Sequence, residues 1–128
     1  MANKQTLFCG TNTEFLSAEL TKEANESNSG VAFRIPSLVN VDGTLVAAID
    51  KAHVPTDWGF IEIAVRTSTD GGKNWSDIKT IATPPARVIN SDKENTATAF
   101  YIDPCMAVAQ NGDIVLLVKY YQESKGLF

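Results

Sequence analysis

The chain reads Ser68-Thr69-Asp70-Gly71-Gly72-Lys73-Asn74-Trp75 between two alternating apolar runs, 60–66 and 75–82. Two such runs joined by Asp-Gly-Gly predict a β-hairpin, because the glycines supply the positive φ that a tight turn needs. Asp70 is expected to accept backbone N–H groups of its own turn. Trp75 should begin the return strand, with its ring largely buried and its indole N–H bonded. This segment is called the 68–75 turn.

Length and composition favour an ordered, globular chain. Its 128 residues are normal for one domain, and a hydrophobic content of 44% is too high for a disordered segment. The net charge is −4, with acidic and basic residues interspersed. The sequence has no basic stripe, so nucleic acid is not expected as a partner. No apolar run approaches the ~18 residues that a membrane span needs.

The N-terminus and the cysteines give no sign of export or of a metal. Met1-Ala2-Asn3-Lys4 is not followed by the apolar segment of a signal peptide. This start fits a cytosolic protein, or a mature secreted domain with a new initiator methionine. Cys9 and Cys105 lie far apart and form no ligand pattern, so two free thiols are favoured over one disulfide. No metal and no cofactor are expected.

Composition divides the chain into four regions. Residues 1–30 are a polar N-terminal segment that is a candidate to pair with another sheet. Residues 31–83 are expected to form four strands joined by short hairpins, with the 68–75 turn between the third and the fourth. Residues 84–97 form a polar connection that contains prolines. Residues 98–128 hold the first strands of a second sheet.

A short internal repeat relates the two sheets. The segment Val39-Asn40-Val41-Asp42-Gly43-Thr44-Leu45-Val46 matches Val108-Ala109-Gln110-Asn111-Gly112-Asp113-Ile114-Val115 without a gap, and Pro36 and Pro104 precede the two copies. Repetition of four-stranded sheets at a fixed period is typical of a β-propeller. Propellers close with ~4–8 blades, and this chain has about one and a half. The sequence therefore predicts an all-β fold that is a piece of a larger domain.

The stretch Phe33-Arg34-Ile35-Pro36, followed by the 68–75 turn, resembles the sialidase (neuraminidase) family, in particular the bacterial exo-sialidases. The likeness is close from Phe33 to Trp75 and weaker from there to the end of the chain. In that family the turn is the Asp box, a structural staple, formed here by Ser68, Asp70, Gly72 and Trp75. Asn74 stands where the family usually has Thr. The resemblance implies a partial six-bladed sialidase β-propeller, of which this chain supplies about one and a half blades of four-stranded antiparallel sheet.

The resemblance also implies three site residues. Arg34 matches the arginine that grips the carboxylate of sialic acid, and the other two arginines of that triad lie beyond this chain. Asp57 matches the acid/base aspartate, which protonates the leaving glycosidic oxygen and then activates water. Asp103, in Ile102-Asp103-Pro104, matches an aspartate that contacts a sugar hydroxyl.

Taken from the residues alone, each assignment has a plainer alternative. Arg34 is equally well explained as a strand arginine with its head at the surface. Asp57 reads as a solvated loop acid, unless burial near Trp58 raises its pKa as acid catalysis requires. Asp103 reads as a turn aspartate before a proline, and its place at the start of a second, matching strand slightly favours the functional role.

The nucleophile of the family is absent from this chain. Sialidases use a tyrosine, an exception among glycosidases, together with a glutamate that activates it. Both come late in the family's sequence. The tyrosines present here, Tyr101, Tyr120 and Tyr121, are not in the matching context.

One departure from the family affects the expected sugar contacts. The family reads Asp-x-Arg after the second strand, with the arginine joining the hydroxyl contacts, and this chain has Asp50-Lys51-Ala52. Lys51 is a candidate substitute, although its ammonium is a point charge and not a fork. His53 is interpreted as a loop histidine near the rim.

The leading interpretation is the N-terminal fragment of an exo-α-sialidase, which hydrolyses terminal sialic acids of glycoconjugates with retention and is inactive without the missing tyrosine. Its parent is expected to be a secreted or cell-surface bacterial protein that acts on sialylated glycans. The alternative is a non-catalytic Asp-box module that binds carbohydrate or protein, which Ala52 mildly favours. A third interpretation is a self-standing small β domain. The exposed strand edges are expected to pair with the remainder of the propeller or with another copy.

Overall fold

A computed structural model describes residues 5, 7–8, 31–53, 60–84 and 99–122. These residues form six strands: β1 (Ala32–Val41), β2 (Thr44–Ala52), β3 (Ile61–Ser68), β4 (Lys79–Ala82), β5 (Ala99–Val108) and β6 (Ile114–Gln122). The first sheet has the order β1-β2-β3-β4, and the second sheet is β5-β6, with antiparallel pairing throughout. The prediction of an all-β chain with a four-stranded meander is therefore confirmed. None of the described residues forms a helix long and apolar enough to cross a membrane.

The 68–75 turn is closed by the hydrogen bonds that its sequence predicts. Asp70 Oδ1 accepts the backbone N–H groups of Lys73 at 3.0 Å and Asn74 at 2.9 Å. The Ser68 hydroxyl donates to the same oxygen at 2.8 Å and accepts the N–H of Gly72 at 2.9 Å. The turn is thus held by one carboxylate and one hydroxyl, which the spacing of the motif places inside it.

Trp75 is half-buried and not largely buried as the sequence predicts. The strand β4 begins only at Lys79, and the indole of Trp75 packs back over the turn, where its N–H donates to the Gly72 carbonyl at 3.2 Å. Gly72 has φ 87°, and a Cβ built on it would lie 3.3 Å from Leu45 Cδ1. Glycine is therefore required here both for the left-handed backbone and for the close approach of Leu45.

Replacing Asp70 with Asn tests the turn through its pH dependence. The backbone N–H and side-chain amide of Asn74 and the hydroxyl of Ser68 lower the pKa of Asp70 from 3.8 to about 2. A carboxyl with a depressed folded-state pKa adds stability above its unfolded pKa, and this stability is lost as the pH falls through the folded value. We expect wild type to exceed Asp70→Asn in urea midpoint near about pH 5, and the difference to fall to a small part of that value by about pH 2.

The matched control for this measurement is Asp77→Asn, an exposed aspartate just beyond the turn. The change removes a charge of the same kind from the same surface without removing the acceptor of the turn. The urea midpoint of unfolding is measured by tryptophan fluorescence at about three evenly spaced pH values between pH 2 and pH 5. A wild-type advantage over Asp70→Asn that stays constant across this range would contradict the assignment.

The second sheet packs on the first through β5. Ala52 and Ile61 of the first sheet form a buried apolar cluster with Phe100 and Ile102 of β5, and Tyr121 packs against it. Because successive side chains of a strand point to opposite faces, Asp50 and Ala52 face the second sheet and Lys51 faces away from it. The core that joins the two sheets therefore lies beside the start of β1 and the end of β2.

The described part of the N-terminal segment lies against the other face of the first sheet. The Arg66 guanidinium donates to the Leu7 carbonyl at 2.5 Å, and the rings of Phe8 and Phe33 lie 5.3 Å apart. Leu7 and Phe8 thus contact the first sheet, while pairing of the N-terminal segment with the outer edge of the second sheet stays a prediction. Pairing of that edge with another copy stays a prediction, as do the limits of the four regions.

The hairpins explain the internal repeat and its one irregularity. Asp42 and Gly43 close β1–β2 as a two-residue turn with φ 48° and 87°, as type I′ requires. In β5–β6, Ala109 N–H donates to Asp113 O at 2.8 Å and encloses three residues, the last being Gly112 with φ 87°. The second copy therefore has one more residue in its turn than the first, so the prolines and the glycines of the repeat do not share one offset.

Cys105 is a free, exposed thiol, in agreement with the expectation for it, and Cys9 lies outside the described residues.

Candidate functional site

The first strands of both sheets contain the same irregularity. The register shifts between Arg34 and Ser37 in β1 and between Ile102 and Cys105 in β5. Each interruption contains a proline preceded by a non-glycine residue with positive φ, and that residue in β5 is Asp103. Irregularities of this kind re-aim side chains and are over-represented next to active sites.

Arg34 lies at the start of β1, directly before its bulge. Its side chain is half-buried, and its Nε atom is buried from solvent. In the ladder Arg34 is the register partner of Asp50, and antiparallel partners have Cβ atoms about 4.5–5.5 Å apart on the same face. The Arg34 side chain therefore leaves the strand beside the Asp50 carboxylate, on the face of the first sheet that meets the second sheet.

Asp103 lies inside the bulge of β5, with φ 60°. Its backbone N–H donates to Asp50 Oδ1 at 3.1 Å, across the junction of the two sheets. Its side chain is 48% exposed, and Lys119 Nζ lies 3.8 Å from Asp103 Oδ2. An exposed pair at that distance adds little stability, so the Asp103 carboxylate remains available to a ligand.

The positions of Arg34 and Asp103 are adjacent but not equivalent in the repeat. When the two bulges are aligned on their prolines, Arg34 is equivalent to Ile102, and Ile35 is equivalent to Asp103. In each bulge the residue with positive φ stands directly before the proline. Asp103 is therefore one position further along its strand than Arg34. The structure nevertheless brings both residues to one place, because both neighbour Asp50.

Sequence reasoning did not select Asp50 as a site residue. Its side chain is completely buried, and it contacts Asp103 from a position opposite Arg34. Strand alternation, together with the charge of Asp50 inside an apolar run, was the signal available in the sequence. Its contact with β5 depends on how the two sheets pack, which no local pattern contains.

Asp57 lies in the segment 54–59, outside the described residues. Both ends of that segment are described: the His53 N–H donates to Phe60 O at 3.0 Å, and their rings lie 5.2 Å apart. The connection from β2 to β3 therefore leaves the first sheet at the end where Arg34 lies. The role of Asp57 stays a prediction.

Lys51 is directed away from Arg34 and Asp103, to the opposite face of the first sheet. Its ammonium lies 3.6 Å from Glu62 Oε2 and donates to Thr80 Oγ1 at 3.3 Å. These contacts do not place Lys51 among the expected sugar contacts, and they do not favour that role. The alternation that puts Asp50 on one face puts Lys51 on the other.

Glu62 is the centre of a polar cluster that sequence reasoning missed. His53 Nε2 lies 2.8 Å from Glu62 Oε2, and the Thr83 hydroxyl donates to Oε1 at 2.7 Å. Burial acts to raise the pKa of Glu62, but the hydrogen bonds from His53 and Thr83 and the charge of Lys51 outweigh it, so the pKa is lowered. His53 is thus a structural partner of Glu62 and more than a loop histidine at the rim.

Ala52 occupies the place where the resemblance leads us to expect an arginine, and its environment is apolar. It is completely buried against Ile61, Phe100 and Ile102. This packing supplies no polar contact to a ligand at that position. The departure seen in the sequence is therefore built into the junction of the two sheets.

The arrangement suits an anionic, hydroxylated ligand. A guanidinium forms charge-assisted, bidentate hydrogen bonds with a carboxylate, and the exposed carboxylate of Asp103 can accept from a hydroxyl. Among residues 31–53, 60–84 and 99–122, no three His, Cys, Asp or Glu side chains come together in a metal-binding group.

Comparison with known proteins identifies similar solved structures. No protein-family model matches the chain. It is 28% identical to a Trypanosoma rangeli sialidase in complex with sialic acid, with a TM-score of 0.55 over 76% of this chain and 14% of that one. The T. rangeli sialidase with 2,3-difluoro-KDN gives 28% identity and a TM-score of 0.57 over the same shares. The T. rangeli sialidase with 2,3-difluorosialic acid, a covalent intermediate, gives 29% and 0.54 over 74% of this chain and 14% of that one.

Proposed function

Because the chain has a sialidase-like fold, with two successive antiparallel sheets that are consistent with part of a sialidase propeller, we propose that it belongs to the catalytic domain of an exo-α-sialidase. Such an enzyme hydrolyses terminal sialic acids of glycoconjugates. The observation that carries the proposal is the meeting of Arg34 and Asp103 around Asp50. The 68–75 turn is, on this proposal, the Asp box of the first blade.

Each proposed residue has a task set by its chemistry. Arg34 binds the carboxylate of sialic acid, which is ionised at neutral pH. Asp57 donates a proton to the glycosidic oxygen as that bond breaks, and then takes a proton from the attacking water. Asp103 accepts a hydrogen bond from a ring hydroxyl. Asp57 belongs to the connection that leaves the first sheet beside Arg34, which supports a shared site.

The remaining chemistry comes from residues outside this chain. The chain spans about a seventh of the T. rangeli sialidase structures with sialic acid, 2,3-difluoro-KDN and 2,3-difluorosialic acid, since it covers 14% of each. We propose a tyrosine nucleophile, activated by a glutamate, and a reaction with retention. A neutral phenol avoids repulsion of the substrate's own carboxylate. The description of a T. rangeli sialidase complex as a covalent intermediate supports this route.

The outer edge of the second sheet supports a larger propeller. Among the described residues β6 pairs only with β5, and Val115, Leu117 and Tyr120 are 47%, 66% and 47% exposed. An apolar strand with a bare edge pairs readily with another strand. We propose that the remainder of the propeller covers this sheet, or that another copy does so in the isolated chain. The parent protein is proposed to be a secreted or cell-surface protein of a bacterium.

A second candidate function is a non-catalytic module that binds carbohydrate. It is favoured by Ala52, which is buried where sialidases carry an arginine, and by Lys51, which is paired with Glu62. Both remove a polar contact that the enzyme would use. A glutamate, a tyrosine and two further arginines in the sequence that follows would favour the enzyme.

Hydrolysis of sialosides by the full-length protein tests the proposal. We expect it to release sialic acid from an aryl sialoside and from a sialylated oligosaccharide, and the isolated 128-residue chain to release none. Product is measured by fluorescence of the aryl alcohol and by chromatography of free sialic acid. Binding of sialic acid by the full-length protein without hydrolysis would support the module, and neither binding nor hydrolysis would reject both.

A further inference from the structure

The described residues bury three polar side chains, and one of them differs from the others in its contacts. Asp50, Glu62 and Ser68 are 0%, 8% and 2% exposed. Glu62 and Ser68 make their hydrogen bonds with residues that adjoin the strands of the first sheet, between His53 and Thr83 in the chain. Asp50 reaches across to the second sheet, where its Oδ1 accepts the backbone N–H of Asp103. A buried carboxylate is costly unless it is paired and hydrogen-bonded, so this contact calls for an explanation.

Asp50 accepts a hydrogen bond from a backbone N–H group that lies outside the register pairs of β5 and β6. The register passes from Ile102 to Cys105, which leaves Asp103 and Pro104 outside the pairing. Asp103 holds φ 60°, a conformation that non-glycine residues keep only where the surroundings impose it. Asp50 supplies the acceptor for this amide and thereby holds the bulge in the conformation that sets the direction of the Asp103 side chain.

The same carboxylate stands opposite Arg34. The two residues are register partners on one face of β1–β2, and both Arg34 Nε and Asp50 Oδ2 are buried from solvent. Opposite charges at such positions attract each other across the ladder. Asp50 is therefore placed to act on Arg34 by charge, and it acts on Asp103 by a hydrogen bond.

A second bond between the sheets provides a comparison. Ser37 Oγ accepts the backbone N–H of Met106 at 3.0 Å, on the far side of the β5 bulge. Like the Asp50 bond, it joins a side chain of the first sheet to a backbone amide of β5. Unlike Asp50, Ser37 lies beyond the β1 bulge and is paired with Ala48, so it is not opposite Arg34.

We propose that Asp50 is a positioning residue, which fixes the Asp103 backbone and the Arg34 guanidinium relative to each other so that both meet one sialic acid. The inference rests on the proposed function. Asp50 is buried and contacts no substrate, so it acts through the two residues that do. Its two effects separate by substitution: Asp50→Asn keeps an oxygen acceptor and loses the charge, and Asp50→Ala loses both.

The first part of the test follows amide exchange in the 128-residue chain. NMR of chain labelled with ¹⁵N-aspartate and ¹⁵N-methionine reports the amides of Asp103 and Met106. We expect Asp50→Ala to abolish protection at Asp103 and to leave Met106 protected, and Asp50→Asn to retain most of the protection at Asp103. Ser37→Ala should do the reverse of Asp50→Ala. Unchanged protection of Asp103 in Asp50→Ala would overturn the inference, whatever the activity of the protein.

The second part measures kinetics on the full-length protein. A misplacement of about 1 Å at a site can cost about 10²-fold, so we expect kcat/KM of Asp50→Ala to fall by roughly that factor, mainly through KM. Asp50→Asn should raise KM by about 10-fold, and Ser37→Ala should change it by less than about twofold, because Ser37 is not opposite Arg34 and bonds β5 beyond its bulge. If Asp50→Ala and Ser37→Ala changed KM equally, Asp50 would only hold the two sheets together, as Ser37 does. That result would overturn the inference. A wild-type protein that hydrolyses no sialoside would reject the proposed function, and the exchange result would then decide this inference alone.

Discussion

In the full-length protein, Asp57→Asn is expected to lower kcat by about 10²–10⁴-fold for a sialoside whose leaving group is a sugar hydroxyl, the usual contribution of a positioned general acid. A sugar alkoxide is a poor leaving group and needs a proton as the glycosidic bond breaks. An aryl oxide departs without one, so the same variant should lose far less on an aryl sialoside. The measurement is kcat for wild type and variant on the two substrates.

The matched control is Asp42→Asn, an exposed aspartate in the β1–β2 turn at the other end of the first sheet. Asn tolerates the positive φ of that position, 48°, as well as Asp does. This variant should keep wild-type kcat on both substrates. Equal losses of Asp57→Asn on the oligosaccharide and on the aryl sialoside would show that Asp57 is not the acid.

The order of the strands could be predicted from the sequence because the signals that set it are local. Alternating apolar residues, Asp42-Gly43 and the spacing of the 68–75 turn each specify a hairpin from a few neighbouring residues. The half-buried state of Trp75 was not predictable in the same way. It depends on where β4 joins the ladder, and the first register pair of β3 and β4 after the turn is Val65 with Lys79.

The site was harder to predict because its residues act across the ladder and between sheets. The opposite faces of Asp50 and Lys51 follow from alternation alone, so the direction of Lys51 could have been read from the sequence. Its pairing with Glu62 needs the β2–β3 register, in which the two are partners. The contact of Asp50 with Asp103 needs the packing of β5 on the first sheet and a bulge that only the backbone geometry displays.

The sequence motif that suggests sialic acid binding therefore contains only some of the residues of the proposed site. Arg34 was selected through its place in Phe33-Arg34-Ile35-Pro36, while the buried carboxylate opposite it was selected only by the structure. This difference bears on how a substitution of Arg34 should be interpreted. Loss of the guanidinium removes a proposed substrate contact and also removes a positive charge from beside a buried negative one.

Arg34→Ala is expected to raise KM and to lower kcat/KM of the full-length protein by roughly 10- to 100-fold, because a charge-assisted bidentate pair contributes about 1.5–3 kcal/mol. Arg34→Lys should lie between wild type and alanine, since it keeps the charge beside Asp50 but loses the planar fork. The thermal midpoint should fall more in the alanine variant than in the lysine variant, for the same reason.

A double cycle with the methyl ester of the sialoside separates the substrate contact from the effect on folding. Esterification removes the substrate's charge and its bidentate acceptor, so wild type should lose about as much on the ester as Arg34→Ala loses on the acid. If Arg34 binds the carboxylate, the variant should show little further loss when the ester replaces the acid. An identical penalty of Arg34→Ala on acid and ester would mean that the two changes are independent. Arg34 would then support the fold beside Asp50 and would not bind the substrate's carboxylate.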